Sequence, residues 1–178
     1  MEFQPDPSEI KRASIPHDAL LFNLIGNHIV ISAALGGMAS HDPELMAIVP
    51  LISVGVLSYV FWGNARAQKE GVPLFVRCHW NIAARRARFF LMMLGVLGGV
   101  IGLASAAHLY AGMMKELAVA LVVGGGVLPV MVTVLVLIIM ESDILNHAKN
   151  GRVPDWAYRR VTGEDPPKVE STEVTDPA

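Results

Sequence analysis

The sequence predicts an all-α integral membrane protein: a four-transmembrane-helix bundle made of two hairpins, with an amphipathic interfacial helix before the third span. Three observations predict it. Apolar residues make up 53% of the 178 and charged residues only 17%, whereas a soluble domain carries about a quarter charged. Mean hydropathy is +0.47. The charges gather in the two ends and one central loop, leaving four long stretches almost free of them. A helix satisfies its own backbone polar groups in lipid, and no stretch alternates as a barrel strand would. A soluble globular domain, a disordered chain and a nucleic-acid module are excluded, and no nucleic-acid partner is expected.

Residues 1–18 form an N-tail, MEFQPDPSEIKRASIPHD, that is polar and acidic at its start. It has no apolar h-region and no small-residue cleavage site, so the first span is expected to serve as the insertion signal. The membrane domain covers 19–163, with spans at 19–39, 45–63, 89–110 and 117–140. Each is about 19–24 residues long, enough to cross a hydrocarbon core of about 30 Å. Residues 164–178, EDPPKVESTEVTDPA, have the composition of a disordered tail.

The basic residues orient the chain. Thirteen of the fourteen Lys and Arg lie in the N-tail, the middle loop and the C-tail; only Lys115 lies in the other two loops. The positive-inside rule therefore predicts both termini and the middle loop in the cytoplasm, with Ser40–Glu44 and Ala111–Glu116 on the far side. In the middle loop, Pro73 suits the first turn of a helix. Arg77, Asn81, Arg85 and Arg88 then recur at spacings of three and four on one face. With Trp80 at the headgroup level, these five are the candidate residues for lipid headgroup or partner docking.

Glycine and proline mark helix contacts and breaks. Gly95, Gly98, Gly99 and Gly102 give span three two overlapping small-xxx-small repeats, and span one pairs Ser32 with Gly36 and Ala33 with Gly37. Such faces let helices approach closely. The same depth count places Gly55, Gly98 and Gly99 near His28, where they would pack helices or clear room for a flat ligand. Pro50 and Pro129 each remove a backbone donor. Gly124, Gly125 and Gly126 precede Pro129, so the outer half of span four is expected to bend.

His28 is the most informative polar residue. It lies about nine residues into span one, roughly 14 Å deep at 1.5 Å per residue. Ionisable groups at that depth are costly and face the interior. Thr133 and Met131 on span four fall near the same level. The candidate cofactor-binding set is therefore His28, Asn27, Thr133 and Met131, with haem b (His28 and Met131 as axial ligands) or a quinone as the cofactor. The alternative is a neutral imidazole bonded to a neighbouring helix, with Thr133 as partner. Asn23 and Asn27 lie four apart and share a face, with His28 about 100° further round; with Ser32 they would line a pore in an oligomeric transporter or channel. No catalytic set and no metal site is read from the spacing. His17, Cys78, His79, Glu141, Asp143 and His147 are read as polar residues of the cytoplasmic rim, with Glu141 and Asp143 expected to pair with Arg85 or Arg88. The single cysteine, Cys78, excludes an intramolecular disulfide.

Arg77, His79 and Asn81 resemble part of the Arg-x-His-x-Asn-x-x-Glu pattern of the MAPEG family, four-span glutathione and eicosanoid enzymes. The resemblance implies glutathione binding by these three residues. Ala84 stands where the pattern has Glu, and the run precedes the third span, whereas the family carries it on the second. The residues together favour a non-catalytic accessory or assembly subunit of a larger respiratory or transport complex in a bacterial inner membrane. Its partners would be the lipid bilayer and other membrane subunits or further copies of itself. A redox protein centred on His28, an oligomeric transporter and a MAPEG-like enzyme follow as alternatives.

Overall fold

A computed structural model describes residues 1–36 and 43–167. The described residues are almost entirely helical, and four helices are long and apolar enough to cross a membrane: α1 (Pro7–Gly36), α2 (Leu45–Ala67), α3 (Leu74–Ala111) and α4 (Lys115–Lys149). A short α5 (Asp155–Thr162) follows. Part of the loop at 40–44, the Ala33/Gly37 pair and the tail beyond residue 167 involve residues outside those described.

The helices start where the sequence gives them a start. Asp6 caps α1, its carboxylate accepting from the Ser8 amide at 2.7 Å and the Glu9 amide at 2.9 Å, and Pro7 follows it. Pro73 precedes α3, and Gly112 ends it in the left-handed conformation. α1 begins twelve residues before the expected span and carries Pro16 in its interior, so residues 7–18 of the N-tail are helical.

The segment expected to form an interfacial helix running into span three is the first half of α3. One uninterrupted helix of 38 residues runs from Leu74 to Ala111, about 57 Å long. Its first half buries Phe75, Val76, Cys78, His79, Trp80 and Ile82, against α1, α2, α4 and α5. Trp80 does not stand at an outer surface. It is turned inward onto Gly63 and meets Tyr59 edge to face at 6.0 Å.

Two apolar clusters stack along the molecule. One, at the arginine-rich end, joins Ala13, Phe75, Val76, Trp80, Ile82, Ile144 and Val153. The other joins Leu20, Leu24, Leu57, Val60, Phe90, Val134 and Leu137. The expected break in span four takes the form of a π-helical stretch, Val122–Val127, followed by Pro129 near the start of regular helix. Switching to a wider turn absorbs the missing proline donor without ending the helix. A second π-helical stretch, Phe22–Ile31, lies in α1.

The glycines of α3 face outward. A Cβ placed on Gly95, Gly98, Gly99 or Gly102 meets nothing within 4 Å, and the same holds for Gly55. They neither draw the chain's own helices together nor clear space beside His28. The close approach between α3 and α4 is made by Gly126, where a Cβ would lie 2.7 Å from Leu97.

Candidate functional site

Two polar centres are buried between the helices. The first lies at the arginine-rich end, beyond the apolar stretches. α1 supplies His17, α3 supplies His79 and Arg86, and α4 supplies Glu141. His17 Nδ1 lies 2.6 Å from Glu141 Oε2 and His17 Nε2 lies 3.2 Å from His79 Nδ1. His79 Nε2 lies 3.1 Å from the Arg152 carbonyl oxygen. His17, His79 and Glu141 are all 0% exposed. Arg86 Nη1 donates to the Met140 carbonyl at 2.8 Å and stands 3.3 Å from Glu141 Oε1.

The far end of this chain of bonds fixes its direction. A carbonyl only accepts, so His79 carries a hydrogen on Nε2. Full burial opposes a charge there. A neutral His79 accepts at Nδ1, and His17 therefore donates from Nε2. His17 Nδ1 and Glu141 Oε2 then share one proton in the 2.6 Å bond.

The Arg152 carbonyl is held in place by the first residues of the chain. The Phe3 amide donates to the Gly151 carbonyl at 2.8 Å, and the Val153 amide to the Met1 carbonyl at 2.9 Å. Arg152 Nε pairs with Glu2 at 3.2 Å. Gly151 has φ +67°, and a Cβ there would lie 2.8 Å from the Phe3 carbonyl oxygen. Only glycine combines that backbone with that approach.

The second centre lies in the π-helical stretch of α1. Asn27 Nδ2 reaches the Val49 carbonyl at 2.8 Å, Ser53 Oγ at 2.9 Å and Asn23 Oδ1 at 3.1 Å. Ser53 Oγ donates to Asn23 Oδ1 at 3.1 Å. His28 Nδ1 donates to the Asn23 carbonyl at 3.1 Å, five residues back, and Nε2 faces Ser53 Oγ at 3.4 Å. The wider turn gathers Asn23, Asn27 and His28 onto Ser53, where a regular helix would set His28 about 100° away. Asn23 Nδ2 and Asn27 Oδ1 remain without partners. The His28 ring stands edge to face on Phe90 at 4.9 Å.

The structure separates the candidate cofactor set. His28 and Asn27 share this centre, with partners on α2 and α3. Thr133 donates to Pro129 on its own helix at 2.8 Å and is not the partner of His28. Met131, also on α4, is half-buried and makes no polar contact with His28. The docking set is likewise divided. Trp80 is buried, Arg85 stands over the Trp156 ring at 5.4 Å, and Arg88 is exposed. Arg77 Nε and Asn81 Oδ1 are buried without hydrogen-bond partners. His79, read with Arg77 and Asn81 in the glutathione pattern, points to His17 instead.

Glu141 pairs with His17 and Arg86, not with Arg85 or Arg88. Asp143 lies 3.7 Å from His147 on the surface of α4. Sequence reasoning placed His17, His79 and Glu141 on one rim but did not join them, and it passed over Ser53 and Arg86. The signal for Ser53 was a polar residue in an otherwise apolar stretch facing two asparagines of similar depth. No group of three or more His, Cys, Asp or Glu among the described residues has a geometry that could hold a metal ion. No protein-family model, curated protein or solved structure matches the chain.

Proposed function

We propose that the protein is a non-catalytic accessory subunit of a larger complex in a bacterial inner membrane, with both termini and the 68–88 segment on the cytoplasmic side. One observation carries the reading. The small-residue face of α3, Gly95, Gly98, Gly99 and Gly102, is unused by the chain's own helices and open along its length. In lipid, where apolar side chains gain little by leaving the bilayer, small residues are the surface that lets another helix approach. The basic ends supply orientation. A haem or quinone reading centred on His28 has less support, since its imidazole is engaged by the Asn23 carbonyl, Ser53 and Phe90.

Gentle purification from native membranes, with co-purifying chains identified by mass, tests the proposal. The wild type is expected to travel with a larger membrane complex. The double substitution Gly98→Leu with Gly99→Leu is expected to release it, with an unchanged melting temperature for the isolated chain. A wild type that travels with no other membrane chain, or a double variant that stays bound, overturns the reading.

A further inference from the structure

A groove of about 240 Å³ opens between α1, α2 and α3 at the arginine-rich end. The buried Gly63 and Trp80 form its floor, and the exposed Arg12, Tyr59, Trp62 and Arg66 line it with them. Arg66 lies flat on Trp62, its guanidinium carbon 3.7 Å from the ring centroid. That stack fixes the guanidinium and leaves its N–H edge available, because a π-face takes only the flat side.

The charge of the groove is not neutralised from within. Arg86, Arg152 and Arg159 are paired with Glu141, Glu2 and Asp165. Neither Arg12 nor Arg66 forms an ion pair among the described residues. Asp6 acts on Arg12 only at longer range, and its carboxylate is committed to the amides that open α1. Arg12 and Arg66, from different helices, thus line one cleft without an ion pair among the described residues.

The position of the cleft names the occupant. Gly63 and Arg66 lie at the end of the apolar stretch of α2, where tryptophan and tyrosine mark the boundary between hydrocarbon and headgroups. Tyr59 and Trp62 are exposed and flank the path an acyl chain would take. The forked guanidinium suits a phosphate better than an ammonium does.

We propose that this groove is a binding site for one anionic glycerophospholipid, its phosphate held by Arg12 and Arg66 and its glycerol end resting on Trp62 and Trp80. A zwitterionic lipid brings its own ammonium against the same arginines and is disfavoured. The site does not depend on the docking reading of α3. Its floor at Trp80 and the glycine face from Gly95 onward are at least fifteen positions apart along α3, about 22 Å or more.

Native mass spectrometry of the detergent-purified full chain, equilibrated with equal phosphatidylglycerol and phosphatidylcholine, tests the proposal. A basic residue at an anionic lipid contributes roughly fivefold, so with two of them the wild type should favour phosphatidylglycerol by roughly twenty-fivefold. Arg12→Gln and Arg66→Gln should each remove a large part of that preference, and together bring it near parity. Arg159→Gln with Arg160→Gln, away from the groove, should leave it intact. The single variants keep the test decisive if the double variant does not fold. Equal retention of the two lipids by the wild type, or a preference that survives both single substitutions, overturns the site.

Discussion

His17 and Glu141 lie 124 residues apart in sequence, yet their side chains meet at 2.6 Å with neither exposed to solvent. The bond ties α1 to α4, and Arg86 adds α3 from the other side of the carboxylate. Removing one partner of a buried ionic pair strands the other, which costs about 3–5 kcal/mol, while replacing both by apolar groups costs far less. His17→Phe and Glu141→Leu are each expected to destabilise by about that amount. The double variant should cost clearly less than the two singles added. Chemical unfolding in detergent, arranged as a double-mutant cycle, measures this. Additive losses would mean that the pair contributes no coupling.

Gly63 leaves no room for a side chain. A Cβ there would lie 2.0 Å from the Trp80 ring, well inside contact distance, and the whole indole would have to move. Overpacking of this kind costs about 1–3 kcal/mol. Gly63→Ala is expected to lower the unfolding midpoint and shift the tryptophan emission. Gly63→Ala combined with Trp80→Leu should recover much of the loss. A Gly63→Ala chain as stable as the wild type would show that Trp80 does not sit on α2.

The four helices were legible because hydropathy and charge act over tens of residues, so errors at single positions average out. Pro73 likewise announces a helix start through local chemistry, whereas the start that Asp6 and Pro7 give α1 was passed over. The polar centres were not legible in the same way. Asn23 and His28 were placed on a regular helix, but a π-helical stretch changes which side chains share a face, and no residue pattern marks that stretch. His17, His79 and Glu141 were known to lie at one level. Level alone does not say which side of a helix points inward, and Arg86 rather than Arg85 or Arg88 faces Glu141. The glycines of α3 show the same limit. Their spacing marks a small-residue face and is silent on whether that face meets the same chain, which it does not.

Gly151 is expected to be intolerant for a backbone reason. An L residue in the left-handed region costs about 1–2 kcal/mol, and here a Cβ would also press on the Phe3 carbonyl. Gly151→Ala should release the first residues from Arg152 and Val153 and loosen the carbonyl that fixes His79. Faster amide exchange at Phe3 and Val153, with little change in α2, is the expected signature. Unchanged exchange at both amides would show that this contact does not depend on Gly151.

The start of α1 should respond to acid. The Ser8 hydroxyl first, then the Glu9 amide, hold the Asp6 carboxyl below its ordinary value of 3.8. A depressed folded-state value means that the cap stabilises the helix above about pH 4 and loses that effect as pH falls through the lower folded value. The protection of the Ser8 and Glu9 amides, measured against their intrinsic exchange rates, should therefore fall below that range in the wild type. Asp6→Asn, which still accepts a hydrogen bond but does not titrate, should remove the pH step. A step that persists in Asp6→Asn would assign it to another group.

His28→Leu separates a packing histidine from a ligand. The imidazole donates to the Asn23 carbonyl and faces Ser53 and Phe90. Single side-chain hydrogen bonds between membrane helices contribute about 0.6–1.7 kcal/mol. His28→Leu should therefore cost about that much in stability and leave the absorption spectrum and lipid extract of the purified protein as in the wild type. Asn27→Leu, which cuts contacts to Val49, Ser53 and Asn23 together, should cost more. A visible band or bound quinone that disappears in His28→Leu would make this centre a cofactor site and displace the accessory-subunit reading.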